Sequence, residues 1–260
     1  MRHNEQWVAF STLATKEIRR FMRIWPQTLL PPAITMTLYF VIFGKIVGSR
    51  IGEMGDFDYM QYIVPGLIMM SVIQNSYSNV VSSFFGAKFH HSVEELMVSP
   101  MSPFVVLCGY VAGGVVRGLL VAGIVTIIAM FFTDGLGIAY ASLTFLVILL
   151  TAILFSLAGF INAVFANNFD DVSIVPTFVL TPLTYLGGVF YSIQLLPEFW
   201  QGVSKFNPVL YMVNSFRYGI LGDHNTDVSV GISIFALIIF TAAMFAFAWW
   251  LLDRGTGIRH

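Results

Sequence analysis

None of the fourteen Asp and Glu residues in this 260-residue chain falls inside one of its long apolar runs. Each acid sits in a short polar gap between runs, or beside one. Soluble domains carry roughly 25% charged residues. Here 10% are charged, 57% are hydrophobic and the mean hydropathy is +0.80. A soluble core of this size has no way to hide so much apolar surface, so the pattern specifies an integral membrane protein. It also leaves the runs without the carboxylates on which proton- and sodium-coupled carriers rely.

A spanning helix needs about 20 mostly apolar residues. The runs predict an all-α membrane domain with six transmembrane helices: Ile24–Gly44, Tyr59–Ser83, Phe104–Thr133, Ile138–Phe165, Val172–Leu196 and Val228–Leu252. A seventh run, Phe206–Leu221, is too short and contains Arg217. It reads as a re-entrant or interfacial helix whose backbone is satisfied by protein or water; a seventh span is the alternative. The short gaps leave no room for a soluble domain. The chain therefore divides as a single membrane domain over 1–260, with an interfacial helix at 1–23, a six-span body at 24–252, an inward gap at 84–103 and short re-entrant helices within an outer segment at 193–222. The first 23 residues are polar and basic and do not form a cleavable signal peptide.

Lys and Arg set orientation. With the N-terminus inside, the inner segments hold Arg2, Lys16, Arg19, Arg20, Arg23, Lys88, Arg254 and Arg259, and the outer ones Lys45, Arg50, Lys205 and Arg217. This bias puts both termini in the cytoplasm. Within the first segment, Trp7, Phe10, Ala14, Ile18 and Phe21 repeat at helical spacing, with Lys16, Arg19, Arg20 and Arg23 mostly off that stripe. The helix suits the headgroup plane, as a topology anchor or as an additional contact for a cytoplasmic partner.

Enzymatic chemistry has no sequence support. There is no GxxxxGK[ST], HExxH or GxSxG motif, and the adjacent His90 and His91 lack metal-site spacing. The single Cys108 excludes an intrachain disulfide and a Cys-based zinc site. A net charge of −1 gives no reason to expect nucleic acid as a partner. Arg117 is the one formal charge inside a span, so it must be paired, snorkelled or near water. It either packs near the inner side or lines a transport path. Gly113 and Gly114 before it either break the helix or allow close packing.

The gap Phe84–Pro103 reads FFGAKFHHSVEELMVSPMSP. Ser92 and Glu95 have capping-box spacing, and Pro100 and Pro103 end the resulting helix before the third span. With Glu94 and Glu95, it suits docking of a soluble partner. Further on, Thr181–Gly222 combines a Pro-broken span, the pair Gly187 and Gly188, an aromatic loop and a short segment opened by Asn207 and Pro208. Ser204 in that loop is expected to be accessible from outside.

The Thr181–Gly222 segment resembles the C-terminal signature of the ABC-2 type transporter permeases, the membrane subunits of bacterial exporters. The likeness extends to the basic N-terminal helix, the EELMVSP element and the six-span pattern. The run Ser156–Ser192 is similar to the YadH-like inner-membrane subgroup. The resemblance implies a permease dimer in the inner membrane, paired with two copies of a separate ABC ATPase. ATP and Mg then act through that partner, and this chain holds no cofactor. It implies that Glu94, Glu95, Ser99 and Pro100 belong to the ATPase-coupling element. The helix bearing Lys16, Arg19, Arg20 and Arg23 becomes a second contact, with the acidic loop Asn167–Asp171 as a third contact or a solvated turn. Arg117, Gly187, Gly188, Asn207, Pro208 and Arg217 belong to the translocation path or outer gate. The implied function is ATP-driven export of an amphipathic, glycan, lipid-linked or drug-like substrate. The rivals are a secondary carrier, an intramembrane enzyme, and a passive channel or assembly scaffold.

Overall fold

A computed structural model describes residues 3–54, 57–133, 137–222 and 227–256. Arg2 and Arg259, counted above for orientation, lie outside these. The described chain is almost entirely helical. Its two-residue strands, β1 (Glu53–Met54) and β2 (Phe57–Asp58), pair antiparallel and add a small feature absent from the run pattern.

The order is α1 (His3–Arg23), α2 (Trp25–Tyr39), α3 (Gly48–Ile51), α4 (Tyr59–Phe89), α5 (Ser92–Val98), α6 (Pro103–Met130), α7 (Ala141–Phe165), α8 (Phe169–Val175), α9 (Thr181–Leu186), α10 (Glu198–Lys205), α11 (Pro208–Leu221) and α12 (Val230–Arg254). Two π-helical stretches, Phe40–Val47 and Pro176–Leu180, join α2 to α3 and α8 to α9. Among the described residues, four helical stretches are long and apolar enough to cross a membrane: Trp25–Gly44, Pro103–Met130, Ala141–Phe165 and Val230–Arg254.

α4 is long enough to cross at roughly 1.5 Å per residue, but it is more polar, carrying Ser71, Asn75, Ser76, Asn79 and Ser83. Its position accounts for this composition. α4 is the central helix, packed chiefly on α7 and α6, and those five side chains are buried against protein. Phe84 meets Phe160 at 4.3 Å and Tyr110 edge-on at 5.2 Å between ring centroids.

α6 runs unbroken through its glycine pair. The glycines serve close packing instead. Leu13 and Glu17 of α1 fill the space where Gly109 and Gly113 would carry a methyl, while Ser156, Val80 and Ser76 fill it at Gly114 and Gly118. Two small-residue ridges on one helix therefore seat α1 on one side and α4 with α7 on the other.

The run Val172–Leu196 does not form one helix. Helical backbone covers α8, the π stretch and α9, then stops at Leu186. Gly188 takes a left-handed φ of 71°, and the Val209 side chain occupies the space beside Gly187. Packing against a later helix thus ends this one ten residues before the apolar run ends.

Candidate functional site

One end of the fold gathers α1, α5, the start of α8 and the C-terminal part of α12. α5 lies directly between α4 and α6 in the chain. Val93 anchors it at 2% exposure, while Glu94 and Glu95 are exposed and Val98 is 88% exposed. The expected Ser92 capping box does not form. Ser92 is already inside the helix, and its hydroxyl donates to Ala87 O at 3.0 Å. His91 occupies the cap position with φ 59°, its Nδ1 2.9 Å from Glu94 Oε1. The Ser99 hydroxyl donates back to Leu96 O at 2.6 Å.

Gln6 of α1 clamps the following linker. Its Nε2 donates to Pro100 O at 3.3 Å, and its Oε1 accepts from Ser102 N at 3.2 Å. Ser102 in turn caps α6 through Val105 N. On the other flank, Phe169 packs on Phe85 and Phe89 at about 5 Å. Lys88 Nζ donates to Val164 O and Ala166 O, satisfying carbonyls at the end of α7. The loop Asn167–Asp171 therefore lies beside α5, with Asp171 closing a capping box on Asn168. Phe104 at the start of α6 meets Phe245 of α12, bringing the C-terminal half of α12 to this same end.

α1 is fastened more deeply than an interfacial helix requires. Its inward face is Leu13, Ala14, Glu17 and Phe21, whereas Trp7 is 67% exposed. Glu17 is 1% exposed; it accepts from Ser83 Oγ at 2.5 Å and lies 3.3 Å from Arg20 Nε. Arg20 Nη2 donates to Asn79 O and Asn79 Oδ1, both at 2.9 Å. Lys16, Arg19 and Arg23 are exposed, while Arg20 turns inward. Sequence reasoning missed Glu17, although Leu13, Ala14, Glu17 and Phe21 do share one helical face.

The opposite end is built around α11. Asn207 caps it, accepting from Val209 N at 2.9 Å, and donates to Leu183 O of α9 at 2.6 Å. Pro208 takes the first helical position, where a missing N–H costs nothing. Arg217 is buried; it donates to Gly188 O at 2.8 Å and Tyr62 O at 3.2 Å, and it stacks 3.9 Å over the Tyr62 ring. Gly66 of α4 admits the Val189 carbonyl at a distance that excludes any side chain. Gly187, Gly188, Asn207, Pro208 and Arg217 thus form one junction of α4, α9 and α11. Ser204 is fully buried, contrary to expectation, because α10 turns it inward; Lys205 is exposed.

Arg117 lies about one helical turn further along α4 than the Arg20–Asn79 contact of α1. It contacts Asn75, thirteen residues along α4 from both Tyr62 and Lys88, or roughly 20 Å from each at 1.5 Å per residue. Its Nη2 donates to Asn75 Oδ1 at 3.1 Å and Thr28 O at 3.2 Å. The Thr28 carbonyl is free to accept because Pro32, four residues on, has no N–H. The half-buried guanidinium lines the space between α2, α4 and α6.

The ABC-2 type transporter family model matches residues 8–221. The inner membrane transport permease YadH of Escherichia coli (strain K12) is 58% identical over 253 residues, which cover 97% of this chain and 98% of that protein. Nodulation protein J of Rhizobium leguminosarum bv. trifolii is 24% identical over 220 residues, covering 84% and 82% of the two chains. Nodulation protein J of Neorhizobium galegae is 21% identical over 237 residues, covering 90% and 88%.

Proposed function

This chain belongs to the ABC-2 type transporter family, and on that premise we propose that it is the membrane-spanning permease subunit of an ATP-driven exporter in the inner membrane. Members of this family generally pair with an ABC ATPase. In this reading the chain crosses six times, through α2, α4, α6, α7, the α8–α9 helix and α12. Both termini are cytoplasmic, and α10 with α11 forms a re-entrant pair at the outer face. Two permeases and two ATPases assemble, and ATP and Mg act in the partner. An amphipathic cargo passes between the protomers.

The observation that carries this reading is the placement of α5. It is short, acidic and exposed, and it joins directly to α4 and α6, the two longest helices in the fold. A push on Glu94 and Glu95 therefore acts on both rods at once. Gln6 ties the α5–α6 linker to α1, so a partner resting on α1 and α5 grips one connected unit. Ser99 and Pro100 terminate the lever. ATP-driven closure of the partner then shifts the dimer between inward- and outward-open populations through differential binding. At the far end, Arg217 and Asn207 hold the α4–α9–α11 junction that acts as the outer gate, and Arg117 lines the path between the ends.

Co-purification tests this. Tagged protein extracted in mild detergent is expected to retain an ABC ATPase, and permease is expected to stimulate its hydrolysis. A passive channel or scaffold would retain none and change no hydrolysis rate.

A further inference from the structure

We propose that the polar cavity between α2, α4 and α6 binds the anionic headgroup of an amphipathic cargo, with Arg117 as its fixed cation. The inference rests on the export reading and adds a chemical class of cargo to it. The cavity has a volume of about 240 Å³, and its lining includes Gln27, Thr35, Gln74, Asn75, Ser78 and Arg117. Amides and hydroxyls thus gather around the guanidinium.

The charge state of the cavity follows from its bonds. Both of Arg117's hydrogen bonds leave through Nη2 and end on neutral acceptors, a backbone carbonyl and an amide oxygen. Its buried Nε meets no acceptor among the described residues. Arg117 takes part in neither of these acid pairs: Glu17 is held by Arg20, and Glu94 lies beside His91. Arg117 therefore keeps a full positive charge. Thr28 O and Asn75 hold that charge in place without cancelling it, and Gln27, Gln74, Thr35 and Ser78 add donors for an oxyanion.

The apolar half of the ligand is indicated by α2 and the π-helical stretch that follows it. Ile34, Leu38 and Ile42 are 58%, 56% and 45% exposed, and their spacing aligns them in one helical stripe. The stripe begins one turn beyond the cavity's Pro31. A molecule with a phosphate, sulfate or carboxylate at one end and a hydrocarbon at the other matches this arrangement, its head at Arg117 and its tail along α2.

The test uses the full chain alone in a maltoside detergent, with binding followed by native mass spectrometry. The probes are dodecyl phosphate, dodecyltrimethylammonium and inorganic phosphate. The variants are Arg117→Gln and Asn75→Asp. The second keeps the side-chain shape and places a carboxylate where Asn75 Oδ1 now sits 3.1 Å from Arg117, so it cancels the charge internally while the fold is retained. Wild type is expected to bind dodecyl phosphate at least tenfold more tightly than either variant, and to discriminate against the cationic amphiphile by a similar factor. Equal dodecyl phosphate binding by all three proteins, or equal binding of the cation, overturns the proposal. Displacement by equimolar inorganic phosphate would assign the site to a free anion and overturn the amphipathic assignment. No ATPase is present, so failure here is distinguishable from failure of ATP coupling.

Discussion

Replacing Gly113 with alanine should undock α1 from the bundle. The added methyl would lie 2.6 Å from Glu17 Cβ and 3.3 Å from Asn79 Nδ2. Non-bonded carbons prefer about 3.5–4.0 Å, so α1 must retreat by about 1 Å at this point. The bonds behind it have no slack. Arg20 reaches Asn79 at 2.9 Å, and a retreat of about 1 Å takes those contacts past the roughly 3.2 Å limit of a good hydrogen bond. Overpacking of a filled interface costs about 1–3 kcal/mol, which raises the undocked population of α1 roughly 5- to 150-fold. Gly123→Ala is the control, because nothing lies within 4 Å of its new methyl and alanine gains about 0.5–1 kcal/mol over glycine inside a helix. The assay is maleimide labelling of Ala14→Cys, a buried α1 position, in a Cys108→Ala background. Labelling should accelerate with Gly113→Ala and not with Gly123→Ala. Equal labelling in both would refute the packing argument.

Reversing Glu94 and Glu95 together to lysine should cut ATPase co-purification by at least tenfold with membrane insertion unchanged, measured by pull-down and membrane fractionation; unaltered association would remove these acids from the coupling surface. Asn207→Ala loses both the α11 cap and the Leu183 bond. It should cost about 1–2 kcal/mol, seen as a lower melting temperature in detergent. Lys205→Cys should react with an impermeant maleimide in intact cells, and labelling confined to inverted vesicles would overturn the assigned orientation.

The elements that were legible in the sequence are those fixed by local physics. The run lengths anticipated α6, α7 and α12 to within about three residues, because a long apolar stretch has no other stable state in a bilayer. Asn207 and Pro208 announced the start of α11 through cap and first-turn chemistry alone. What was missed depends on partners distant in the chain. The fifth apolar run gave no sign that Val209 would pack against Gly187 and end the helix at Leu186. Glu17 looked like one more polar residue on a basic helix, because Ser83 and Gly113, which bury it, lie more than 60 residues away. Arg117 stood out as an anomaly, but its acceptors, a proline-freed carbonyl on α2 and an amide on α4, became visible only in the fold.

The acid-free runs leave energy to arrive from outside the chain, and one measurement tests that directly. A spin label or fluorophore at Lys205→Cys, in the background lacking Cys108, reports the outer segment in proteoliposomes. The account predicts an accessibility change on adding ATP only when the partner ATPase is present, and its loss when Glu94 and Glu95 are reversed. A change driven by a proton or sodium gradient without the ATPase would contradict it.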